Sequence, residues 1–365
     1  MIIKLLFDME LLSDSEHDIK IAAKALAGGA LVAFPTETVY GLGADAFNTK
    51  ALARVFEAKN RPHFDPLIIH IANTETLSLI ADIKSLAKPI KEKLNILTKR
   101  LWPGPLTLVL PKKAEIPDLA TSGLPTLAVR FPSHPVAQKL ICLAAIPVAA
   151  PSANPFGRLS PTRADHVREQ LGGRVDFIID GGRTDIGLES TVLDLTHNIP
   201  RILRPGGIPQ EVIESLIGEV ELVSHGEEST SQREVLSSKG EAPASQGEDI
   251  TSPREVISSP GMLKNHYAPC TPIVIHKSWE MSLIPDAVDE GRLYFSVPDK
   301  SQCPADRTRV LSLAGDLQEA AANFFDMLHE LDSLGLSLIR AEEAPSNGLG
   351  TAINDRLRRA SFKAC

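Results

Sequence analysis

Ala30-Leu31-Val32-Ala33-Phe34-Pro35 runs directly into Thr36-Glu37-Thr38-Val39-Tyr40-Gly41-Leu42-Gly43. The first five residues are apolar, and Pro35 brings no N–H to continue a central ladder, so 30–35 reads as a buried strand that stops at Pro35. Just upstream, residues 19–27 carry apolar side chains at helical spacing and end at Gly28-Gly29, a good helix C-terminus. Working outward, apolar runs at 66–72, 106–111, 126–132, 146–152, 175–182 and 190–196 read as further strands. Helical stretches at 52–58 and 86–101 fall between them, the second broken by Trp102-Pro103-Gly104-Pro105. Strands alternating with helices mean an α/β domain, and several connections are too short for a purely parallel sheet, which predicts a twisted mixed one.

The rhythm stops near residue 221. Residues 221–258 turn to Ser, Glu, Gly, Gln and Pro without apolar period, and Thr230–Ser238 is nearly repeated at Thr251–Ser259. Two copies are too few for a solenoid, so a mobile duplicated linker is expected. Beyond it, strand-like runs at 271–276, 292–297, 307–313 and 336–342, an amphipathic helix at 317–335 and a last helix at 352–361 predict a second, smaller α/β domain. The expected division is a catalytic domain over 11–220, a linker over 221–269 and a C-terminal domain over 270–365.

Composition narrows the function classes. The 365 residues are 43% apolar and 23% charged, ordinary for a chain with real cores. No apolar run reaches the ~18–20 residues of a membrane helix, and residues 1–18 meet acids too early for a signal peptide. Four cysteines never form a CxxC, which excludes a zinc ribbon and argues against a disulfide framework. A cytoplasmic enzyme is expected. The net charge of −8 is uneven: nine acids face three bases in 219–259, so the remainder is nearly neutral. Seventeen aromatic residues leave little for a single-strand stacking platform.

The polar residues cluster after strands. Gly41-Leu42-Gly43-Ala44-Asp45-Ala46 fits a dinucleotide fingerprint in letters, but Pro35 ends the strand six residues earlier, so glycines serving a tight turn are the plainer reading. Lys59-Asn60-Arg61-Pro62 either clamps a triphosphate or is a solvated loop pair. His70 is a core histidine or a strand-end ligand. Arg130 ends an apolar run, where a charge needs a carboxylate or an anionic ligand. Ala149-Ala150-Pro151-Ser152-Ala153-Asn154 offers amides and a hydroxyl to an anion. Ser160-Pro161-Thr162, Asp180-Gly181-Gly182, Glu189-Ser190-Thr191-Val192 and Leu203-Arg204-Pro205-Gly206 follow. There is no GxxxxGK[ST], so a nucleotide would be held without a P-loop.

In this order, residues 35–43, 59–62, 102–107, 150–154, 189–192 and 203–206 resemble the Sua5/YciO/YrdC family. Ser259–Pro269 is similar to the linker of its two-domain Sua5 branch, and Gly348–Arg356 to that branch's last motif. The long acidic linker and His63-Phe64-Asp65 depart from the pattern without removing a matched polar residue. The resemblance implies a YrdC-like mixed sheet with a Rossmann-like C-terminal domain. The implied activity is L-threonylcarbamoyladenylate synthesis from L-threonine, bicarbonate and ATP with release of pyrophosphate. Its product would pass to the tRNA threonylcarbamoyl transferase machinery, which forms N6-threonylcarbamoyladenosine in tRNAs reading ANN codons.

By the same resemblance, Thr36, His70, Arg130, Ala150 and Ser190 hold threonine, Arg130 pairing its carboxylate. Lys59, Arg61, Thr126, Ser152, Asn154, Ser160 and Arg204 hold ATP, and Tyr267 with His266 closes over the nucleotide as a lid. Mg2+ comes with ATP; no protein metal ligand and no nucleophile–base pair is expected. Alternatives are an RNA-binding module, with tRNA itself as a partner, or a carbamoyltransferase like the hydrogenase-maturation protein, which has zinc-finger CxxC pairs that this chain lacks.

Overall fold

The computed structural model describes residues 9–223, 266–298 and 305–362. Eleven strands among them form one sheet: β1 (Glu10–Ser13), β2 (Val32–Phe34), β3 (Gly41–Asp45), β4 (Ile68–His70), β5 (Leu106–Pro111), β6 (Thr126–Arg130), β7 (Val148–Ala149), β8 (Phe177–Asp180), β9 (Thr191–Asp194), β10 (Arg201–Arg204) and β11 (Glu221–Leu222). Their order is β1-β8-β2-β3-β7-β4-β6-β5-β9-β10-β11. β2–β3, β3–β7, β4–β7, β5–β6 and β9–β10 are antiparallel, while β1–β8, β4–β6 and β5–β9 are parallel. The sheet is mixed, as the short connections predict.

The opening run is apolar throughout because both faces of the sheet are covered. Leu31 and Ala33 belong to the larger core, with Leu52, Val55 and Phe56 of the helix Thr49–Lys59. Val32 and Phe34 point the other way, into a core with Ile19, Ala22, Ala23 and Leu26 of the helix Glu16–Ala27 and Leu140 of the helix Pro135–Ala144. The helix Thr49–Lys59 is capped by Asn48 and stopped by Asn60 in left-handed backbone (φ 51°), which delivers Lys59 and Arg61 to the strand ends.

Two expectations change here. Gly41 and Gly43 do not make a tight turn; they lie in β3, paired with β2. A Cβ on Gly43 would stand 2.8 Å from the Phe34 ring and 3.0 Å from Val148, so the glycine is required by close packing across the sheet. The chain also stays in the sheet past residue 220, since β11 pairs in parallel with β10 before the description ends at Val223. The expected mobile segment from 224 to 258 and the lid turn from 259 to 265 lie outside the described residues.

The second domain is a parallel sheet of β12 (Ile273–His276), β13 (Glu290–Tyr294), β14 (Thr308–Val310) and β15 (Leu338–Glu342), ordered β12-β15-β13-β14. The helix Leu317–Ser333, N-capped by Asp316, buries Phe324, Phe325, Leu328 and Leu331 against it. The helix Leu349–Ser361 completes this core. Val39, Leu159 and Leu188 of the first domain and Tyr267 share it, so the two domains meet through a continuous apolar core.

Candidate active site

Strand register brings the first polar pair together. β4 and β6 run in parallel with His70 opposite Arg130, so both side chains reach the same end of the sheet. The segment 150–153 follows β7 to that end and is tied along residues 40–42: Leu42 N–H donates to Pro151 O at 2.7 Å and Ala153 N–H to Tyr40 O at 2.8 Å. β9 begins and β10 finishes there, carrying Ser190 and Arg204. The result is a cleft with about 510 Å3 of empty space, lined by Thr36, Thr38, Arg61, His70, Arg130, Ala150, Ser152, Glu189, Ser190, Arg204, His266 and Tyr267, among others.

Arg130 is buried and tightly held. Nε donates to Gly104 O at 3.3 Å and Nη1 to Thr38 Oγ1 at 2.8 Å. Nη2 lies 2.8 Å from Glu37 Oε1 in a buried ion pair. Burial acts to raise the Glu37 carboxyl, but Arg130 outweighs it and holds the group below the usual carboxylate range. His70 Nδ1 lies 3.2 Å from Ile68 O, a carbonyl that can only accept, which assigns the proton to Nδ1 and leaves Nε2 an acceptor. Burial, with Arg130 beside it, lowers His70 to about 3, so the ring is neutral at physiological pH.

Ser190 Oγ is 2.7 Å from Thr107 Oγ1 and accepts from Arg204 Nη2 at 3.2 Å. Arg61 is braced by Asp65, with Nη2 2.9 Å from Oδ2, and by carbonyls of Asp65 and Pro66. Tyr267 adopts left-handed backbone (φ 65°), its ring buried and its hydroxyl without a hydrogen-bond partner. His266 stacks edge-on against it, ring centroids 4.1 Å apart; burial, then the surrounding cations Arg61, Arg359, Lys59 and Arg204, push its pKa well below the ordinary value.

With this geometry in view, two family models divide the chain. The Sua5/YciO/YrdC model, described as telomere recombination, matches residues 24–206, and the threonylcarbamoyl-AMP synthase C-terminal domain matches 208–361. A threonylcarbamoyl-AMP synthase of Pyrococcus abyssi is 43% identical over 353 residues, covering 95% of this chain and 94% of its own. This chain belongs to the Sua5/YciO/YrdC family. A Bacillus subtilis threonylcarbamoyl-AMP synthase is 40% identical, covering 96% and 94%. Among solved structures, P. abyssi Sua5 complexed with L-threonine is similar at a TM-score of 0.80 and 40% identity, covering 97% of each chain. The likeness therefore spans both domains of the Sua5 branch.

All five residues expected at threonine line the cleft, as do Arg61, Ser152, Arg204, Tyr267 and His266. Four others are placed differently. Lys59, expected at the triphosphate, is buried behind the wall and donates to the carbonyls of Ser152 and Asn154, shaping that turn. Burial, then Arg61, push its ammonium well below the ordinary value. Asn154 Nδ2 donates to the carbonyls of Pro155 and Arg158 at 2.9 Å, and Ser160 donates to Glu189, so both brace the cleft wall. Thr126 opens β6 opposite Pro111, four residues and therefore about 13 Å from Arg130 along the strand, away from the cleft. Sequence reasoning missed Glu37, Thr38 and Glu189. A carboxylate four residues before a matched glycine gave no hint of its pairing with Arg130, although two threonines flanking it signal a polar turn.

Proposed function

We infer that this chain is a threonylcarbamoyl-AMP synthase, an AMP-transferring enzyme of tRNA modification that uses L-threonine as a substrate. The observation that carries this reading is the cleft itself, which gathers Thr36, His70, Ala150 and Ser190 around the buried guanidinium of Arg130. A carboxylate is the natural partner for that guanidinium, already oriented by Glu37, Thr38 and Gly104. The neutral His70 ring can accept from a donor on threonine.

Bicarbonate supplies CO2, which the threonine amine captures as a carbamate. A carbamate oxygen then attacks the α-phosphorus of ATP and pyrophosphate leaves, the nucleotide staying on the carbamate as AMP. The protein contributes position and charge: Arg61 and Arg204 face the polyphosphate, Ser152 offers its hydroxyl, and Lys59 holds the Ser152–Asn154 turn in place. Tyr267 and His266 exclude water from an adenylate prone to hydrolysis. We also propose that Mg2+ enters on the triphosphate oxygens. The carboxylates nearest the cleft are committed to arginines, Glu37 to Arg130, Asp65 to Arg61 and Glu189 to Arg356, and no three His, Cys, Asp or Glu gather as a metal site among the described residues. The adenylate then serves a tRNA threonylcarbamoyl transferase in the cytoplasm. Likeness along the full length of synthases supports this reading over an RNA-binding module or one part of a larger carbamoyltransferase. Pyrophosphate release is expected only with threonine and bicarbonate both present; equal release without threonine, or ADP as product, contradicts the assignment.

A further inference from the structure

Glu189 sets an electrostatic difficulty. It is a buried carboxylate on the wall of a cleft that must admit a polyanion. Ser160 donates to its Oε1, and a neutral hydroxyl does not cancel its charge. Its ion-pair partner comes from the other domain. Arg356, on the helix Leu349–Ser361 and fully buried, donates from Nε to Glu189 Oε2 at 3.0 Å. Its Nη1 donates to Pro205 O at 2.6 Å, beside the cleft residue Arg204, and to Asp355 Oδ2 at 2.8 Å. Its guanidinium carbon stands 5.2 Å from the centre of the Tyr267 ring, within cation–π range. One side chain of the C-terminal domain thus touches three segments of the cleft wall, at 189, 205 and 267.

We propose that Arg356 is a positioning residue for ATP: it neutralises Glu189 and braces Tyr267, so that the nucleotide part of the cleft is complete only when the C-terminal domain is docked. Without Arg356, the Glu189 charge is opposed from the first domain by Arg204, so the carboxylate would compete with the triphosphate for that guanidinium and weaken its binding. Threonine, held by the Arg130 group through separate partners, should be little affected. This inference rests on the synthase reading, and its test separates the two.

The full-length chain and its Arg356→Gln, Arg356→Lys, Glu189→Gln and Glu189→Gln/Arg356→Gln variants are compared by calorimetric binding of a non-hydrolysable ATP analogue and by KM for each substrate, with melting curves to confirm folding. Arg356→Gln should weaken analogue binding about ten-fold or more and raise the ATP KM alike, with the threonine KM changing less than about three-fold. Arg356→Lys should recover part of the loss. The double variant, with no stranded carboxylate, should recover the electrostatic share of the loss, while the bracing of Tyr267 stays lost. A double variant as weak as Arg356→Gln, or equal losses for both substrates, overturns the proposal. If Arg356→Gln does not fold, Glu189→Gln decides: it should bind the analogue as tightly as the parent or tighter, and a ten-fold loss overturns the proposal. Absence of threonine-dependent pyrophosphate release by the parent chain would count against the synthase reading, while analogue binding still reports on Arg356.

Discussion

Arg130 is a buried charge that also lines the cleft. It closes an apolar strand, which is tolerable because Glu37, Thr38 and Gly104 meet it. Removing it strands Glu37 as a buried charge, at a cost of about 3–5 kcal/mol. Arg130→Ala is therefore expected to lower stability and to raise the threonine KM far more than the ATP KM. Adding Glu37→Gln should restore stability without restoring threonine binding, as read by denaturant melts beside steady-state kinetics. Parallel recovery of both would show that Arg130 only props up the wall. Arg130 was legible in the sequence because a charge in an apolar run demands a partner; that the partner is Glu37, across 93 positions, was not, since only the sheet order brings 37 and 130 together. Lys59 was less fully legible. A basic letter before a turn reads as a phosphate clamp, and nothing in the sequence hints that its ammonium also donates to two carbonyls of the 152–154 turn.

At the level of elements, strand ends are predictable and strand order is not. The run 106–111 becomes β5 at the expected bounds, because hydrophobic continuity and Pro111 define it locally. Gly41–Asp45 was hidden: glycine reads as a turn, and its packing against Phe34 and Val148 appears only when β2, β3 and β7 are side by side. The helices also carry a testable pair. His166, of the helix Ala164–Leu171, stacks on His329, of the helix Leu317–Ser333, with ring centroids 3.8 Å apart. Burial, then His329, lower His166 to about 3, and burial lowers His329; Asp326 pulls both the other way and Arg163 sides with burial at His166. Between the ordinary histidine value near 6.5 and about 3, the unfolded chain takes up protons that the folded chain refuses, so this pair's stability is complete above about pH 6.5 and is lost as pH falls. Melting temperature should drop from pH 7 to pH 5, and His166→Asn/His329→Asn should flatten that slope. An unchanged slope would remove the pair from the acid response.

For the molecule as a whole, the C-terminal domain packs directly against the first domain beside the cleft. Asp326 meets Arg163 at 2.7 Å, Arg183 donates to Ala322 O at 2.7 Å, and His329 Nε2 lies 3.1 Å from Ser160 O. The contact leaves no room at Gly187, which has φ 71°; a Cβ there would stand 2.5 Å from the carbonyl oxygens of Ala321 and Ala322. Gly187→Val should pry the domains apart, lowering the melting temperature and weakening ATP binding together, although residue 187 is not a lining residue of the cleft. Retained ATP affinity in a measurably loosened variant would mean that the first domain binds nucleotide unaided. The two-domain plan was visible in the change of composition near 221, but the shared core was not, because periodicity says which face of a helix is buried and not against what.

A synthase of this kind joins three small molecules in one cleft, threonine and AMP meeting through the bicarbonate carbon. Isotope-labelled bicarbonate, supplied with L-threonine, ATP and Mg2+, tests it most directly by following the label and counting pyrophosphate. One labelled carbon is expected in a product that contains both threonine and AMP, formed in step with pyrophosphate. AMP or ADP accumulating with no labelled threonine-containing product would contradict it.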